Sequence, residues 1–171
     1  MKNAIVMTLI LAASAAAQPA AGKKGNSAAE PMVDEKYGSA EEIMALPPAR
    51  LVAILNDSGA SVYARAKACQ RLAVVGDKSA TPALAALLGH PQLAYYARAG
   101  LEQIPDSSAD EALRSALHRV DGNLLVGVIN SISRRAADKK AIPDLERLRH
   151  HADNAVARAA DAALARLRPP L

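Results

Sequence analysis

The chain has very few aromatic residues and almost no cysteine. Its 171 residues include four tyrosines, one cysteine, and neither phenylalanine nor tryptophan. This scarcity argues against β-sandwiches and β-barrels, which need aromatic and β-branched residues to fill a pleated surface. A single cysteine excludes a disulfide framework within the chain. Beyond about the first twenty positions there is no run of eighteen apolar residues, so the sequence predicts no internal transmembrane helix.

Alanine and leucine are the residues that the chain has in abundance. There are 40 alanines and 20 leucines, which together make up more than a third of the sequence. Both residues are strong helix formers. Apolar residues account for 51% of the chain, which is too many for a disordered protein. The composition therefore predicts one small domain of the all-α class.

The N-terminus has the pattern of a secretory signal peptide. Lys2 gives a positive n-region, residues 4–13 form an apolar h-region, and Ala15–Ala17 offers the small residues of a cleavage site. We therefore predict a signal peptide over residues 1–17, cleaved before Gln18. The protein would then be periplasmic or secreted in a bacterium, with no membrane span after cleavage.

The stretch that follows has no apolar periodicity. Residues 18–38 are rich in proline, glycine, serine and charges of both signs, which is typical of a flexible tether. The folded domain is expected to span residues 39–169 and to be monomeric.

A repeated motif is the strongest signal in the sequence. Three segments begin at Asp77, Asp106 and Asp138, with spacings of 29 and 32 residues, and each has Ala at +3 and Leu at +7. Two of them carry proline at +5, namely Pro82 and Pro143. Aspartate caps helix N-termini, and proline fits the first helical turn, where its missing N–H is not needed. Each motif therefore predicts the start of a helix.

A second, alanine-rich helix precedes each motif, so the repeating unit is a helical hairpin of about thirty residues. A hairpin of this size cannot bury its own apolar face, and stacking on its neighbours solves that problem. Pro47–Pro48 is expected to split or kink the first helix. The predicted helices span 40–55, 61–75, 79–89, 93–104, 108–119, 123–135, 140–150 and 154–167.

The motif Asp-x-x-Ala-x-Pro-x-Leu, with second helices that end in Leu-x-x-Ile, resembles bacterial HEAT repeats. The short repeats grouped with phycobilisome-lyase-like proteins are the most similar. The resemblance covers about residues 60–167, although the third unit lacks leucine at two second-helix positions, and the hairpin at 40–55 looks like an N-terminal cap. It implies a right-handed α-α superhelix, a HEAT-like solenoid of about four hairpins that holds another macromolecule.

The second helices line the concave side of such a solenoid, and several arginines and the only aromatic pair lie on or near them. Two interpretations are open for these side chains. The guanidinium groups could brace neighbouring repeats by bonding carbonyls or aspartates, or the surface could bind a partner, since tyrosine is favoured at interfaces. The candidate partner-binding residues are Arg65, Tyr95, Tyr96, Arg98, Arg134, Arg135 and Arg158.

Positive charge is concentrated in the C-terminal part of the chain. Residues 111–171 contain 11 Lys/Arg and 7 Asp/Glu, a balance of +4, whereas residues 23–110 contain 9 and 10, a balance of −1. The densest run comprises Arg134, Arg135, Lys139 and Lys140. It is either a solvated rim or a surface that steers an acidic partner.

No catalytic or metal-binding motif occurs in the sequence, so we expect neither an enzyme nor a cofactor. His150 and His151 are adjacent, and adjacent side chains point about 100° apart on a helix, which makes them poor joint ligands. Cys69 lies three residues before Leu72 on the predicted buried side and is expected to be packed and inert.

These observations predict an exported, non-catalytic HEAT-repeat scaffold that binds another protein through its concave face. Two alternatives stay open: an accessory subunit of an envelope redox enzyme, and a nucleic-acid binder with a basic face. The pI of about 9.4 permits the latter, but export and the shortage of aromatic stacking platforms disfavour it. A tetrapyrrole lyase activity would rest on the resemblance alone.

Overall fold

The structure is a computed structural model and describes residues 32–135 and 138–168. Over these ranges the chain forms nine α-helices and no β-strand, which confirms the all-α class. The helices are α1 (Ala40–Met44), α2 (Pro48–Asn56), α3 (Val62–Val75), α4 (Thr81–Ala86), α5 (Ala94–Gln103), α6 (Ser107–Ala116), α7 (Gly122–Arg135), α8 (Ile142–Leu148) and α9 (Asn154–Leu167).

The predicted signal peptide over 1–17 lies outside the described residues, as does the tether as far as residue 31. The predicted end of the folded domain, residue 169, also lies outside them. None of the helices within 32–135 and 138–168 has both the length and the apolar character needed to cross a membrane.

The three motif aspartates cap helix starts, as the repeat predicts. Each side chain accepts a hydrogen bond of 2.8–3.2 Å from the backbone N–H two residues further on. Asp106 caps α6 directly, whereas Asp77 and Asp138 each begin a short 3₁₀ turn that leads into α4 or α8. Pro82 and Pro143 occupy the first turns of those two helices. Helices α4 and α8 are shorter than expected, because the 3₁₀ turns take up their first residues and because residues 87–89 and 149–150 form turns.

The first predicted helix, 40–55, is divided at Pro47–Pro48, as expected from proline chemistry. Pro47 is extended (φ −69°, ψ 156°) and Pro48 is the first residue of α2. Proline lacks the N–H that would continue the hydrogen-bond pattern of α1, but it fits the first turn of a new helix. Ser39 and Glu42 form a capping box at the start of α1, which fixes where the helical part begins.

The helices pack as successive hairpins, and the helices of the first three hairpins form two rows. The row of second helices runs α3, α5, α7, α9, and each of these contacts the next. The row of first helices contains α2, α4 and α6, again with contacts between successive members. Within each hairpin the two helices also contact each other, from α2 with α3 to α8 with α9. Helix α1 packs on α3 at the N-terminal end of the second row.

The core lies between the two rows and is built from leucine, isoleucine and alanine. The apolar stripe of each first helix is buried, including Leu84, Leu88 and Leu113. Alanines of the second helices are also fully buried, such as Ala68 and Ala97. Their short side chains let helix axes approach closely, so a thin core can be filled without aromatic residues.

The end of the expected tether belongs to the folded part of the chain, which corrects the boundary at residue 38. Residues 34–38 form a tight turn in which Asp34 and Gly38 exchange backbone hydrogen bonds of 2.8 Å. The carboxylate of Asp34 accepts a hydrogen bond of 2.5 Å from the hydroxyl of Ser61, at the start of α3. The charge pattern of 18–38 suggested solvated chain, but Asp34 is buried by this long-range contact.

Candidate partner-binding surface

The outward side of α5 presents the aromatic pair predicted from the sequence. Tyr95 is 68% exposed, whereas Tyr96 is partly buried against the core. The two rings meet edge to face, with centroids 5.4 Å apart and planes at 80°, an arrangement that the ring quadrupoles favour. The guanidinium carbon of Arg98 lies 5.9 Å from the centre of the Tyr95 ring. Tyr95 therefore projects into solvent from a supported position.

Arg98 connects α5 to α7. Its Nη1 donates hydrogen bonds to the backbone carbonyl of Gly127 at 2.9 Å and to the hydroxyl of Ser131 at 3.3 Å. Its Nε is buried and has no hydrogen-bond partner within the described residues. Burial lowers the pKa of Arg98, and the nearby Glu102 carboxylate opposes that shift. A guanidinium is always charged in proteins, so this is a cation held partly out of water by two helices.

Glu102 and Arg134 extend this polar network towards solvent. The hydroxyl of Ser131 donates to one carboxylate oxygen of Glu102 at 2.7 Å. Arg134 donates to the other oxygen at 3.0 Å, and this hydrogen bond raises the pKa of Arg134. Arg134 is 66% exposed. The network from Tyr95 to Arg134 therefore forms one continuous surface across α5 and α7, which we call the Tyr95 surface.

Arg135 is largely buried and bonds the carbonyls at the end of α5. Its guanidinium donates to the carbonyls of Leu101 at 2.8 Å and Ile104 at 2.7 Å, and it pairs with the carboxylate of Asp110. The side chain is only 11% exposed. The last carbonyls of a helix have no partner within the helix, and Arg135 supplies one from the next hairpin. Arg135 therefore braces α7 against α5 by bonding carbonyls and an aspartate, which is the first of the two interpretations given for these arginines.

Arg65 and Arg158 do not join the Tyr95 surface. Arg65 donates from Nη2 to the carbonyl of Asp57 at 2.7 Å, so it stabilises the loop between α2 and α3. Arg158 lies on α9 and is exposed, with no hydrogen bond to any other described residue. The structure thus brings together Tyr95, Tyr96, Arg98 and Arg134 and separates the other three candidates.

Sequence reasoning missed three residues of the surface: Glu102, Gly127 and Ser131. Glu102 lies four residues after Arg98, a spacing that places two side chains on the same helix face, so this residue was detectable. Gly127 lies inside a helix, where glycine is disfavoured by about 1 kcal/mol relative to alanine. A Cβ built on it would lie 2.7 Å from the guanidinium carbon of Arg98. Its presence therefore marks a place where another group approaches the backbone.

The basic run in the turn after α7 is largely occupied by internal contacts. Arg134 pairs with Glu102, and Arg135 pairs with Asp110. Lys139 donates its Nζ hydrogen bond to the carbonyl of Leu167 at the end of α9. Lys140 is exposed and makes no side-chain contact of this kind to the described residues. Three of these four cations therefore make internal contacts, and two of them, Arg134 and Arg135, join α7 to the preceding hairpin.

The thiol and imidazole groups are placed in ordinary surroundings. Cys69 is fully buried, and burial raises the pKa of its thiol to about 12. No group of three or more His, Cys, Asp and Glu side chains with the geometry of a metal site occurs over residues 32–135 and 138–168. The Nδ1 atoms of His90 and His151 accept hydrogen bonds from backbone N–H groups two residues on, at 3.2 and 3.0 Å. These imidazoles act locally, in turns.

The described residues form an all-helical protein built from successive helical hairpins. Comparisons of the chain with protein-family models, with curated proteins and with solved structures give no significant match.

Proposed function

We propose that this protein is an exported, non-catalytic HEAT-like α-solenoid that binds another protein through the face of its second helices. The repeated Asp-capped hairpins and the successive contacts within each row support the solenoid. In a right-handed superhelix of this kind the second helices form the concave side. The Tyr95 surface lies on that side.

The binding proposal depends mainly on Tyr95, whose ring is exposed while contacts with Tyr96 and Arg98 support it from below. An aromatic side chain that is 68% exposed loses rotamer freedom at little cost on binding, because it has only two χ angles. Most of the polar groups beneath it, from Arg98 to Arg134, are linked to one another by hydrogen bonds, although the Nε of Arg98 has no partner among the described residues. A partner would therefore meet a preorganised surface, with Tyr95 as the anchor.

Nucleic acid is a poorer partner for this surface than protein. Nucleic-acid binding depends on cations that are free to neutralise phosphates. Within the described chain, Arg134 and Arg135 are paired with carboxylates and Lys139 is bonded to a carbonyl. Protein partners, by contrast, favour exposed tyrosine with satisfied polar groups around it.

Site-directed photo-crosslinking in living cells tests the proposal. A photoreactive phenylalanine derivative at position 95 should crosslink one protein reproducibly, which mass spectrometry would identify. The matched control places the same residue at Glu111, an exposed position on α6 in the other row. With the purified partner, Tyr95→Ala should weaken binding by about tenfold or more, and Glu111→Ala should not.

Equal crosslinking from both rows, or none from position 95, would contradict the proposal. The identity of the crosslinked protein also separates the two forms of the proposal. An envelope redox enzyme would make this chain its accessory subunit, whereas another protein would make it a scaffold of a different assembly.

Export has its own test. The intact mass of the protein recovered from the cell envelope should correspond to a chain that begins at Gln18. Replacing Ala15 and Ala17 with bulky residues should leave the precursor uncleaved, because signal peptidase requires small side chains there. Recovery of the uncleaved chain from the cytosol of unmodified cells would refute export.

A further inference from the structure

A groove runs along α3 beside the start of α5 and is bordered by Tyr96, the neighbour of Tyr95. Its volume is about 530 Å³. Its lining includes Met32, Val62, Ala66, Lys67, Gln70 and Tyr96. We call it the α3 groove. It is partly open to solvent, so a small molecule in it would keep part of its surface in water, unlike a ligand in an enclosed pocket.

The walls of the α3 groove expose apolar groups that the core does not use. Met32 is 67% exposed and Val62 is 38% exposed. Ala66 and Tyr96 are only partly buried, and they pack on the core with one side. These side chains offer a partner apolar area to bury, and each Å² of such area contributes about 25 cal/mol when it is removed from water. Gln70 adds an amide at the rim, able to donate and accept hydrogen bonds.

Of the residues that the structure describes, Lys67 is the only charged one that lines the groove. Its Nζ lies 5.6 Å from the centre of the Tyr63 ring, and it forms no ion pair within the described part of the chain. Glu41 borders the neighbouring cleft, yet it forms no ion pair with Lys67. Lys36 and Arg134, by comparison, are paired with carboxylates, whereas Lys140 resembles Lys67 in forming no ion pair with the described residues. The groove thus combines apolar walls with one ammonium group that has no counter-ion among residues 32–135 and 138–168.

We propose that the α3 groove binds a peptide segment of the protein partner that carries an aliphatic residue and an adjacent carboxylate. The aliphatic side chain would lie against Val62, Ala66 and Tyr96, and the carboxylate would pair with Lys67. Apolar burial supplies affinity, and the charge pair fixes orientation and selects against basic segments. This inference rests on the proposed function and names the chemistry of the partner.

Selection of peptides tests this inference without knowledge of the partner. The probe is a phage-displayed library of random dodecapeptides, screened against the protein as purified from the cell envelope. Enriched peptides should combine Leu, Ile or Val with a neighbouring Asp or Glu. Lys67→Glu should weaken their binding by about tenfold and should shift a repeated selection towards Lys and Arg. Val62→Asp should also weaken binding by about tenfold.

Two matched variants control for general effects of charge and stability. Lys140→Glu makes the same charge change on an exposed lysine far along the chain, and Val74→Asp makes the same polar change on α3 outside the groove. Val74 is 74% exposed. Both should bind the selected peptides with the affinity of the unmodified protein. Circular dichroism should show that all four variants keep their helical content.

Several results would overturn the inference. Selected peptides without acidic residues, or peptides that bind the groove variants as tightly as the controls, would do so. A photo-crosslinker at Gln70 that captures residues of the same chain, or a second copy of it, would show that the groove has a different occupant. Such a result together with a partner crosslinked at Tyr95 would leave the proposed function intact and reject the groove alone.

Discussion

The guanidinium of Arg98 lies directly over the backbone of Gly127. Its Nη1 donates to the Gly127 carbonyl at 2.9 Å, and a Cβ at position 127 would come within 2.7 Å of the guanidinium carbon. The missing side chain on α7 therefore makes room for the arginine of α5. This pair joins two successive second helices beneath Tyr95.

The Arg98–Gly127 pair predicts a non-additive effect on stability. Gly127→Ala alone should change the free energy of unfolding by less than about 0.5 kcal/mol, because the gain in helix propensity is offset by displacement of Arg98. In an Arg98→Ala background the same change should stabilise by about 1 kcal/mol. Urea denaturation of the four proteins in this double-mutant cycle measures the difference. Additive free energies would show that the two residues do not interact.

Arg134 and Arg135 are neighbours in sequence but should differ sharply in their effect on stability. Arg135→Ala should destabilise by about 3 kcal/mol, because it leaves Asp110 and the last carbonyls of α5 without their partner. Arg134→Ala should cost less than about 1 kcal/mol, because this ion pair is 66% exposed on the arginine side. Thermal and urea unfolding of both variants would measure these values.

Arg135→Lys provides the finer control for this prediction. Lysine keeps the charge but cannot donate to several carbonyls and a carboxylate at once. We expect it to recover less than half of the stability lost in Arg135→Ala. If Arg135→Lys recovered all of the lost stability, the positive charge alone would stabilise the end of α5, and the several N–H donors of the guanidinium would not be needed.

Cys69 should be unreactive in the folded protein. Burial raises the pKa of its thiol from 9.0 to about 12, and the thiolate is the reactive form. At pH 8, Ellman's reagent should therefore react with Cys69 only as fast as the protein unfolds, and at full speed in urea. Rapid reaction without denaturant would contradict the burial of this thiol.

The Cys69 thiol should also make the free energy of unfolding depend on pH in the alkaline range. A thiol whose pKa is raised by folding contributes stability that is present below its unfolded pKa of about 9 and is lost as pH rises towards about 12. The free energy of unfolding should therefore fall over this range, and Cys69→Ala should make the fall shallower. An unchanged slope in Cys69→Ala would assign the alkaline loss to other groups.

Asp57 should hold the turn at residues 34–38 against the loop between α2 and α3. Its carboxylate accepts hydrogen bonds from the Lys36 ammonium at 2.8 Å and from the Tyr37 hydroxyl at 2.6 Å. Asp57→Asn removes the charge that both groups use, so trypsin should cleave after Lys36 roughly fivefold faster. Asp121→Asn changes an exposed aspartate on the α6–α7 loop and serves as the control. Equal cleavage rates would show that the turn is held by other contacts.

Acid should release the same turn. The Lys36 ammonium, followed by the Tyr37 hydroxyl and the Gly59 N–H, lowers the pKa of Asp57 well below its usual value. A lowered pKa means that the contribution is present above the ordinary aspartate pKa of 3.8 and is lost as pH falls further. The ring signals of Tyr37 in NMR spectra should therefore move towards free tyrosine only well below pH 4. If the midpoint of this movement of the Tyr37 signals fell near pH 3.8, the contacts to Asp57 would be weak.

Local chemistry explains why the helix starts were predictable. Asp77, Asp106 and Asp138 act on backbone N–H groups two residues away, and Pro48 restricts its own φ angle, so neighbouring sequence is enough to read these effects. The apolar spacing of Leu84 and Leu88 likewise identifies the buried face before any tertiary contact is known. The end of the tether was missed because Asp34 is buried by Ser61, 27 residues further along the chain.

The sequence by itself determined the all-helical class, the hairpin unit and the buried stripe of each helix, since these depend on interactions within one or two turns. Only the tertiary structure decided which candidate side chains are braces and which face solvent. Arg98 and Arg135 reach groups about thirty residues away, and Tyr95 stays exposed because of where α5 packs. The hydrogen-bond partner of a long, flexible side chain depends on which groups the packed helices bring within its reach, and the sequence alone does not give this.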